Sequence, residues 1–418
     1  MKRELIETLV LDQRQGIERK EKGLARDVDF YKLIFTKQIT VISGIRRCGK
    51  STLLLQLMEE FDEFSYMNFD DERLLNFSVS DFQTLLSIFS KFTKSEVVFF
   101  DEIQNVEGWE RFIRRIFDEG YKIFITGSNA KLLSSELATH LTGRYIKIEL
   151  FPFSFSELLS YHNVNYNKLS SSIRSEIIVL FDYYLIEGGF PEMIKYNDDE
   201  FLMRVYEDVL YKGLIVRYKI KNIKQFKNLS QYLFTNFTSS ISYNSLKTLL
   251  NIKSATTVQE YISFLEESYL IFELYKYDFS LKKQFVSNKK VFIIDNGIRN
   301  KVALMFSSDK GRFLENLVFI ELKRREKDFY FYKTKRNLEI DFLYYDNKQF
   351  HLIQVSYGLG DMRTRQREIK AMVDAASELP NTKNLLLTYD EEDTFVDGSV
   401  KIKIQPVWKW LLEIDSSR

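Results

Sequence analysis

From residue 38 to about residue 150, short apolar and β-branched runs alternate with stretches whose apolar positions recur at helical spacing. This is the pattern of βαβ units feeding a parallel sheet. The runs QITVIS (38–43), FSYMNF (64–69), VVFF (97–100), KIFIT (122–126) and YIKIEL (145–150) predict five strands. Two of them are almost wholly apolar, as strands buried on both faces are. Between residue 154 and about residue 228 the period becomes helical, interrupted by the turn-like Gly188-Gly189-Phe190-Pro191. Further on, NSLKTLLN (244–251) reads as a short helix, 252–254 as a turn and 256–269 as a second helix. Val258, Tyr261, Ile262, Leu265 and Tyr269 form the apolar face of that second helix, and Thr256 with Gln259 fits a capping box. Two β-like runs, 270–277 and 290–295, complete a helix-turn-helix-hairpin order of winged-helix type. The last part opens with the helical FLENLVFIELKRRE and continues through FYFYK, EIDFLYY and FHLIQVSY, a charged helix over 362–376 and a strand near Leu385. The expected organisation is an α/β core over 1–150, a helical lid or connector over 151–228, a winged helix over 229–300 and a separate α/β unit over 301–418.

The 418-residue length suits several domains and excludes a single small module. Charge narrows the choice of partners little, because 60 Lys and Arg stand against 59 Asp and Glu. Any basic footprint has to be local. One such footprint exists, since residues 209–259 contain eight Lys or Arg and no acid. The lone Cys48 has no partner for an intramolecular disulfide, and no leader-like segment opens the chain, so a cytoplasmic location is expected. No apolar run approaches the roughly 18 residues that span a bilayer, so no membrane segment is expected.

The most specific chemical signal is Gly44-Ile45-Arg46-Arg47-Cys48-Gly49-Lys50-Ser51, which fits G-x-x-x-x-G-K-[ST]. It lies after an apolar strand and before the helical Thr52-Leu53-Leu54-Leu55, where the pattern has to lie. Glycines let the loop curl so that its N–H groups converge on phosphate oxygens, and the helix N-terminus adds partial positive charge. Lys50 is placed to reach the β- and γ-phosphates, and the Ser51 hydroxyl to hold Mg2+. ATP and Mg2+ are the expected cofactors. The buried run 97–100 ends in Asp101-Glu102, one acid for the metal and one to orient the attacking water. Downstream, Ser128 and Asn129 end the fourth strand, either as γ-phosphate or water contacts or as ordinary turn residues. Arg144, just before the fifth strand, is a candidate arginine finger acting across a homo-oligomer interface or a surface salt-bridge residue. Cys48 reads as a small loop filler and not as a redox switch.

With these motifs assembled, the chain resembles the prokaryotic AAA-type ATPases that carry a C-terminal domain of the kind called DUF4143. The resemblance runs nearly end to end, through GIRRCGKSTLL, NFDDERL, FFDEIQNVEGWERFIRRIFD, ITGSNAKLL, LTGRY, FPFSFSELL, GGFPE, RFLENLVFIEL and EIDFLYY with IQVSY. It implies an AAA-like sheet, a winged-helix module and a C-terminal domain similar to the PD-(D/E)xK nuclease fold. In that fold an Asp on one strand and Glu-x-Lys on the next hold Mg2+ and activate water. Asp341 matches the first position and Glu315 is a further ligand candidate, but Gln354 and Ser356 stand where Glu and Lys belong. A neutral amide binds Mg2+ less well than a carboxylate, and serine supplies no positive charge. The domain is therefore expected to be inactive as a nuclease, with a lysine from elsewhere such as Lys348 as the open alternative.

The acid-free basic stretch favours contact with double-stranded DNA through the winged helix. Against this, Glu260, Glu266 and Glu267 lie on the polar side of the second helix, and winged helices also dock proteins. The leading expectation is an Mg2+-dependent ATPase that moves the connector and winged helix against DNA or a protein partner. The alternatives are an ATP-gated DNA nuclease and a nucleotide-dependent adaptor without appreciable turnover.

Overall fold

The computed structural model describes residues 1–128, 141–198, 200–303 and 310–413. They form two compact units, one of residues 1–151 with 267–269 and the other of residues 152–266 with the remainder.

The first unit is built on a parallel five-stranded sheet of β1 (Ile39–Ser43), β2 (Ser65–Asn68), β3 (Val97–Asp101), β4 (Lys122–Gly127) and β5 (Tyr145–Glu149). Strand order is β2-β3-β4-β1-β5. The buried β1, β3 and β4 are the three inner strands, while the mixed YIKIE forms the half-exposed edge. Period-2 alternation sends Phe99 and Phe100 to opposite faces. Phe99 stacks on Phe124 at a centroid distance of 4.6 Å. Phe100 meets the stacked pair Phe82–Phe112, whose centroids are 3.9 Å apart. Each such buried ring contributes about 1.5–3 kcal/mol. Phe82 begins α4 (Phe82–Phe92) and Phe112 lies in α5 (Trp109–Asp118). Because all strands run the same way, Ser43, Asp101, Gly127 and Glu149 come to one edge, with Ser43 level with both Gly127 and Glu149. Open α/β sheets bind ligands at that edge.

The second unit contains a mixed six-stranded sheet of β9 (Phe329–Lys333), β10 (Glu339–Asp346), β11 (Gln349–Val355), β12 (Thr382–Thr388), β13 (Asp393–Asp397) and β14 (Val400–Pro406), ordered β13-β14-β12-β11-β10-β9. A smaller antiparallel sheet joins β6 (Ser240–Ile241), β7 (Ile271–Leu274) and β8 (Lys289–Ile293) in the order β6-β8-β7. Beside it lie the helices Ile223–Thr235, Tyr243–Leu249 and Ala255–Glu267. The cap of the last helix is Ser254 and not Thr256: the Ser254 hydroxyl accepts the Thr257 N–H at 3.0 Å and its carbonyl the Val258 N–H at 3.2 Å. Serine in the turn satisfies the first free amides two residues earlier than the sequence pattern suggested. Among the described residues, no helix is long and apolar enough to cross a membrane.

The Gly-Gly-Phe-Pro turn has a packing explanation. Asp295 is buried and accepts N–H bonds from Gly189 at 2.7 Å, Gly297 at 2.8 Å and Ile298 at 3.3 Å. A Cβ on Gly188 would stand 2.0 Å from the Asp295 carboxylate. Burial nevertheless pushes Asp295 up to about 6 and Glu266 up to about 7. Both groups belong to the second unit. Their folded-state values exceed the ordinary carboxylate range, so the stability they confer is full below about pH 4 and is lost as pH rises through 6 to 7. The unfolding transition of this unit is expected to weaken by about 1–3 kcal/mol between pH 6 and pH 8. Thermal melts across that interval, compared with Asp295→Asn, measure the effect; a transition that strengthens with pH contradicts it.

Candidate nucleotide site

The loop between β1 and α3 (Lys50–Met58) is shaped by two glycines at positions that other residues fill only with strain. Gly44 has φ +150°, and a Cβ there would stand 2.1 Å from the Leu150 carbonyl oxygen. Gly49, at φ +98°, turns the chain into α3. The loop is held from outside by the segment between α1 (Arg3–Glu18) and α2 (Phe30–Phe35). The buried Arg26 donates to the Cys48 carbonyl and to the Phe151 carbonyl, both at 2.8 Å. Gln56 on α3 donates to the carbonyls of Lys22 and Leu24 at 2.7 and 2.8 Å, fixing the same segment. Cys48 is fully buried, and burial raises its thiol despite the opposing charges of Lys50 and Arg26. A loop filler is the role its surroundings allow.

Lys50 is nearly enclosed, with its ammonium 3.1 and 3.0 Å from the carbonyls of Gly44 and Ile45 and 3.7 Å from the Glu102 carboxylate. Asp101, the last residue of β3, is buried and accepts hydrogen bonds from the hydroxyls of Thr126, Ser51 and Tyr66. Burial raises its carboxyl, the Glu102 charge adds to this, and the Thr126 and Ser51 donors with Lys50 work the other way. Glu102 leaves the strand at φ +52°, which costs a bulky residue about 1 kcal/mol and turns its carboxylate out of line with Asp101. Burial alone would raise Glu102, but Lys50, Gln104, Arg46 and Ser128 together hold it below its ordinary value. Two adjacent acids are thereby set apart, one enclosed by hydroxyls and one charged beside the lysine.

Of the residues singled out in the sequence, Gly44 to Ser51, Asp101, Glu102 and Ser128 come together at this sheet edge. Arg46 is half-buried and Arg47 is exposed at φ +66°. Thr52 lies one residue further along α3, under the segment held by Gln56, where a Cβ on Gly23 would meet its methyl at 3.2 Å. Asn129 lies outside the described residues. Arg144 is not brought to the site: it precedes β5 at the opposite end of the sheet, where its N–H and carbonyl bond to Leu141 and Ile39. Its guanidinium is 3.5 Å from Asp118. Of its two readings, this chain alone displays the surface ion pair.

Sequence reasoning missed the roles of Arg26, Tyr66 and Thr126, and it placed Tyr269 on the apolar face of a helix that in fact ends at Glu267. Thr126 links the two acids, its hydroxyl donating to Asp101 while accepting the Glu102 N–H at 3.0 Å. Tyr269 belongs to the first unit, is buried at φ +64° and donates to the Ser43 hydroxyl at 2.9 Å, at the base of the loop. Only Thr126 carried a signal, its place in the Thr-Gly-Ser-Asn strand end; the others depend on contacts distant in sequence. Thr126→Val, which keeps the shape and deletes the hydroxyl, is expected to lower phosphate release roughly 10- to 100-fold with a smaller change in ATP affinity. Unchanged turnover would show that Thr126 only fills space.

Residues 36–159 match the AAA domain family, 178–310 match a domain of unknown function, DUF8612, and 310–410 match DUF4143. The uncharacterized protein MJ1544 of Methanocaldococcus jannaschii is 39% identical, with 98% of this chain and 96% of that protein covered. The chain belongs to the AAA-type ATPase family with a C-terminal DUF4143 domain. An uncharacterized protein of Haemophilus influenzae, 30% identical over 93% of this chain and 96% of its own length, is similar along the same extent. Among solved structures, the Walker-type ATPase PABY2304 of Pyrococcus abyssi aligns with TM-score 0.41 at 16% identity, covering 65% of this chain and 92% of that one. The parallel α/β core expected for this family and the mixed sheet of its C-terminal region are both present.

Proposed function

We propose that the protein is an Mg2+-dependent ATPase whose nucleotide cycle acts on the second unit and, through it, on double-stranded DNA. The observation that carries the ATPase reading is the convergence of Lys50, Ser51, Asp101 and Glu102 on one sheet edge beside a glycine-shaped loop. The residues fit the cofactors. Backbone N–H groups at the start of α3 with Lys50 suit a triphosphate, and the Ser51 hydroxyl with the Asp101 carboxylate suits Mg2+. Bound Mg2+ supplies positive charge to the phosphoryl oxygens. Glu102, held ionised by Lys50 and Arg46, is the acceptor that orients water for attack, with Ser128 and Gln104 fixing its carboxylate.

Tyr269 supports coupling to the second unit. It sits among first-unit residues, while the helix Ala255–Glu267 precedes it and β7 follows it in the chain. In this reading a shift at Ser43 is felt by Tyr269 and passed along the chain to the winged-helix elements. DNA is favoured as the partner by the acid-free stretch, in which Lys212, Arg217, Lys219, Lys221, Lys224, Lys247 and Lys253 are exposed. Lys212 is the member that pairs with an acid just outside the stretch, Asp208, at 2.8 Å. Phosphate release with and without double-stranded DNA across a salt titration tests the proposal. A DNA-stimulated rate whose stimulation fades steeply with salt is expected. A rate indifferent to DNA would point to a protein partner.

A further inference from the structure

A second cluster of charge lies within the second unit and is independent of the nucleotide site. Lys290, on β8 of the small sheet, is 4% exposed. Its ammonium lies 2.9 Å from Glu315, 2.7 Å from Glu339 and 3.2 Å from Asp341. The carboxylates come from three places, the helix Lys310–Arg324 and two positions on β10. A bulge between Ile340 and Leu343 shifts the β9–β10 register at Asp341, a local distortion of the kind that re-aims a side chain. Asp341 is held further by the Val355 N–H at 3.0 Å, while its own N–H donates to Gln354 at 3.1 Å. Gln354 in turn donates to Glu368 at 2.7 Å. The lysine that the sequence left unplaced is therefore not Lys348; an ammonium from another sheet reaches the carboxylates instead.

Three carboxylates drawn around one point demand a compensating charge. Here the point is taken by nitrogen. Among the described residues, these three acids included, no group of three or more His, Cys, Asp and Glu is placed to hold a metal ion. We propose that the Lys290 ammonium is the resident cation of this carboxylate cluster, compensating the three acids in place of a metal ion and tying β8 to β10. Gln354 fits the arrangement: a neutral amide adds no fourth negative charge beside a monovalent cation and bridges Asp341 to Glu368. Ser356 fits as well, since its hydroxyl turns away to the Gly358 carbonyl at 3.1 Å. The consequence is a C-terminal sheet that is filled from within and contributes a joint, not hydrolysis.

The test uses the full chain without nucleotide. Mn2+ is expected to leave the wild-type melting temperature unchanged. Lys290→Ala, which empties the position while keeping all three carboxylates, is expected to melt lower and to recover by about 5 °C or more on adding Mn2+. Electron paramagnetic resonance is expected to show Mn2+ bound to Lys290→Ala and not to Lys290→Ala with Asp341→Asn. Lys290→Gln, which retains a hydrogen-bond donor, serves with the same readouts if the alanine variant does not fold. Mn2+ binding or Mn2+-dependent DNA cutting by the wild type that disappears in Asp341→Asn would overturn the proposal. So would lysine variants that take up no Mn2+ and gain no stability from it.

Discussion

Replacing Glu102 with glutamine is expected to leave ATP binding within about threefold and to cut turnover by about 10²- to 10⁴-fold. The substitution is isosteric, so the bonds from Gln104 and Ser128 retain an oxygen to meet, and the left-handed turn at residue 102 is undisturbed. What is lost is the charge held beside Lys50 at 3.7 Å. Binding depends on the loop, Lys50 and Ser51, which the change does not touch. Turnover depends on a full acceptor for the water proton, which an amide is not. Single-turnover phosphate release together with fluorescent-nucleotide titration separates the two quantities. Equal losses in both would place Glu102 in binding, and preserved turnover would remove it from the chemistry.

Gly44→Ala is expected to have the largest effect on the fold of the site. The added methyl would stand 2.1 Å from the Leu150 carbonyl oxygen and 3.1 Å from the Cys48 sulfur. The first is backbone, in the segment whose Leu150 N–H donates to the Ser43 carbonyl at 2.7 Å, so neither strand yields without breaking the β1–β5 pairing. The expected result is a loss on the order of 3 kcal/mol from the first unit and a fall in ATP affinity of more than about 100-fold. Denaturant unfolding and nucleotide titration read these out. Wild-type stability and affinity in this variant would show that the loop is not confined as described.

The sheet of the first unit was legible because its strands are short, apolar and separated by helical spacing. A run such as VVFFDE states both its burial and the point where the strand ends in the acids of the site. The loop was legible for a related reason: its glycines, lysine and serine must be consecutive to do their work. Tyr66, Arg26 and Tyr269 were not, because each acts through a partner far along the chain, and Thr126 was marked only by its place at a strand end. Arg26 meets Cys48 and Phe151, and Tyr269 meets Ser43, with nothing local to mark either. Arg144 shows the converse, a residue whose motif neighbours suggest chemistry while parallel register carries it to the far end of β5. The Lys290 cluster illustrates the same limit, since spacing along β11 locates the missing Glu-x-Lys but not a lysine arriving from β8.

The most direct test of the nucleotide reading is calorimetric titration of Mg-ATP into the wild-type chain and into Lys50→Ala. Saturable binding to the wild type, lost in Lys50→Ala while its melting profile is retained, is the predicted result. Folded wild-type protein that takes up neither ATP nor GTP would contradict it.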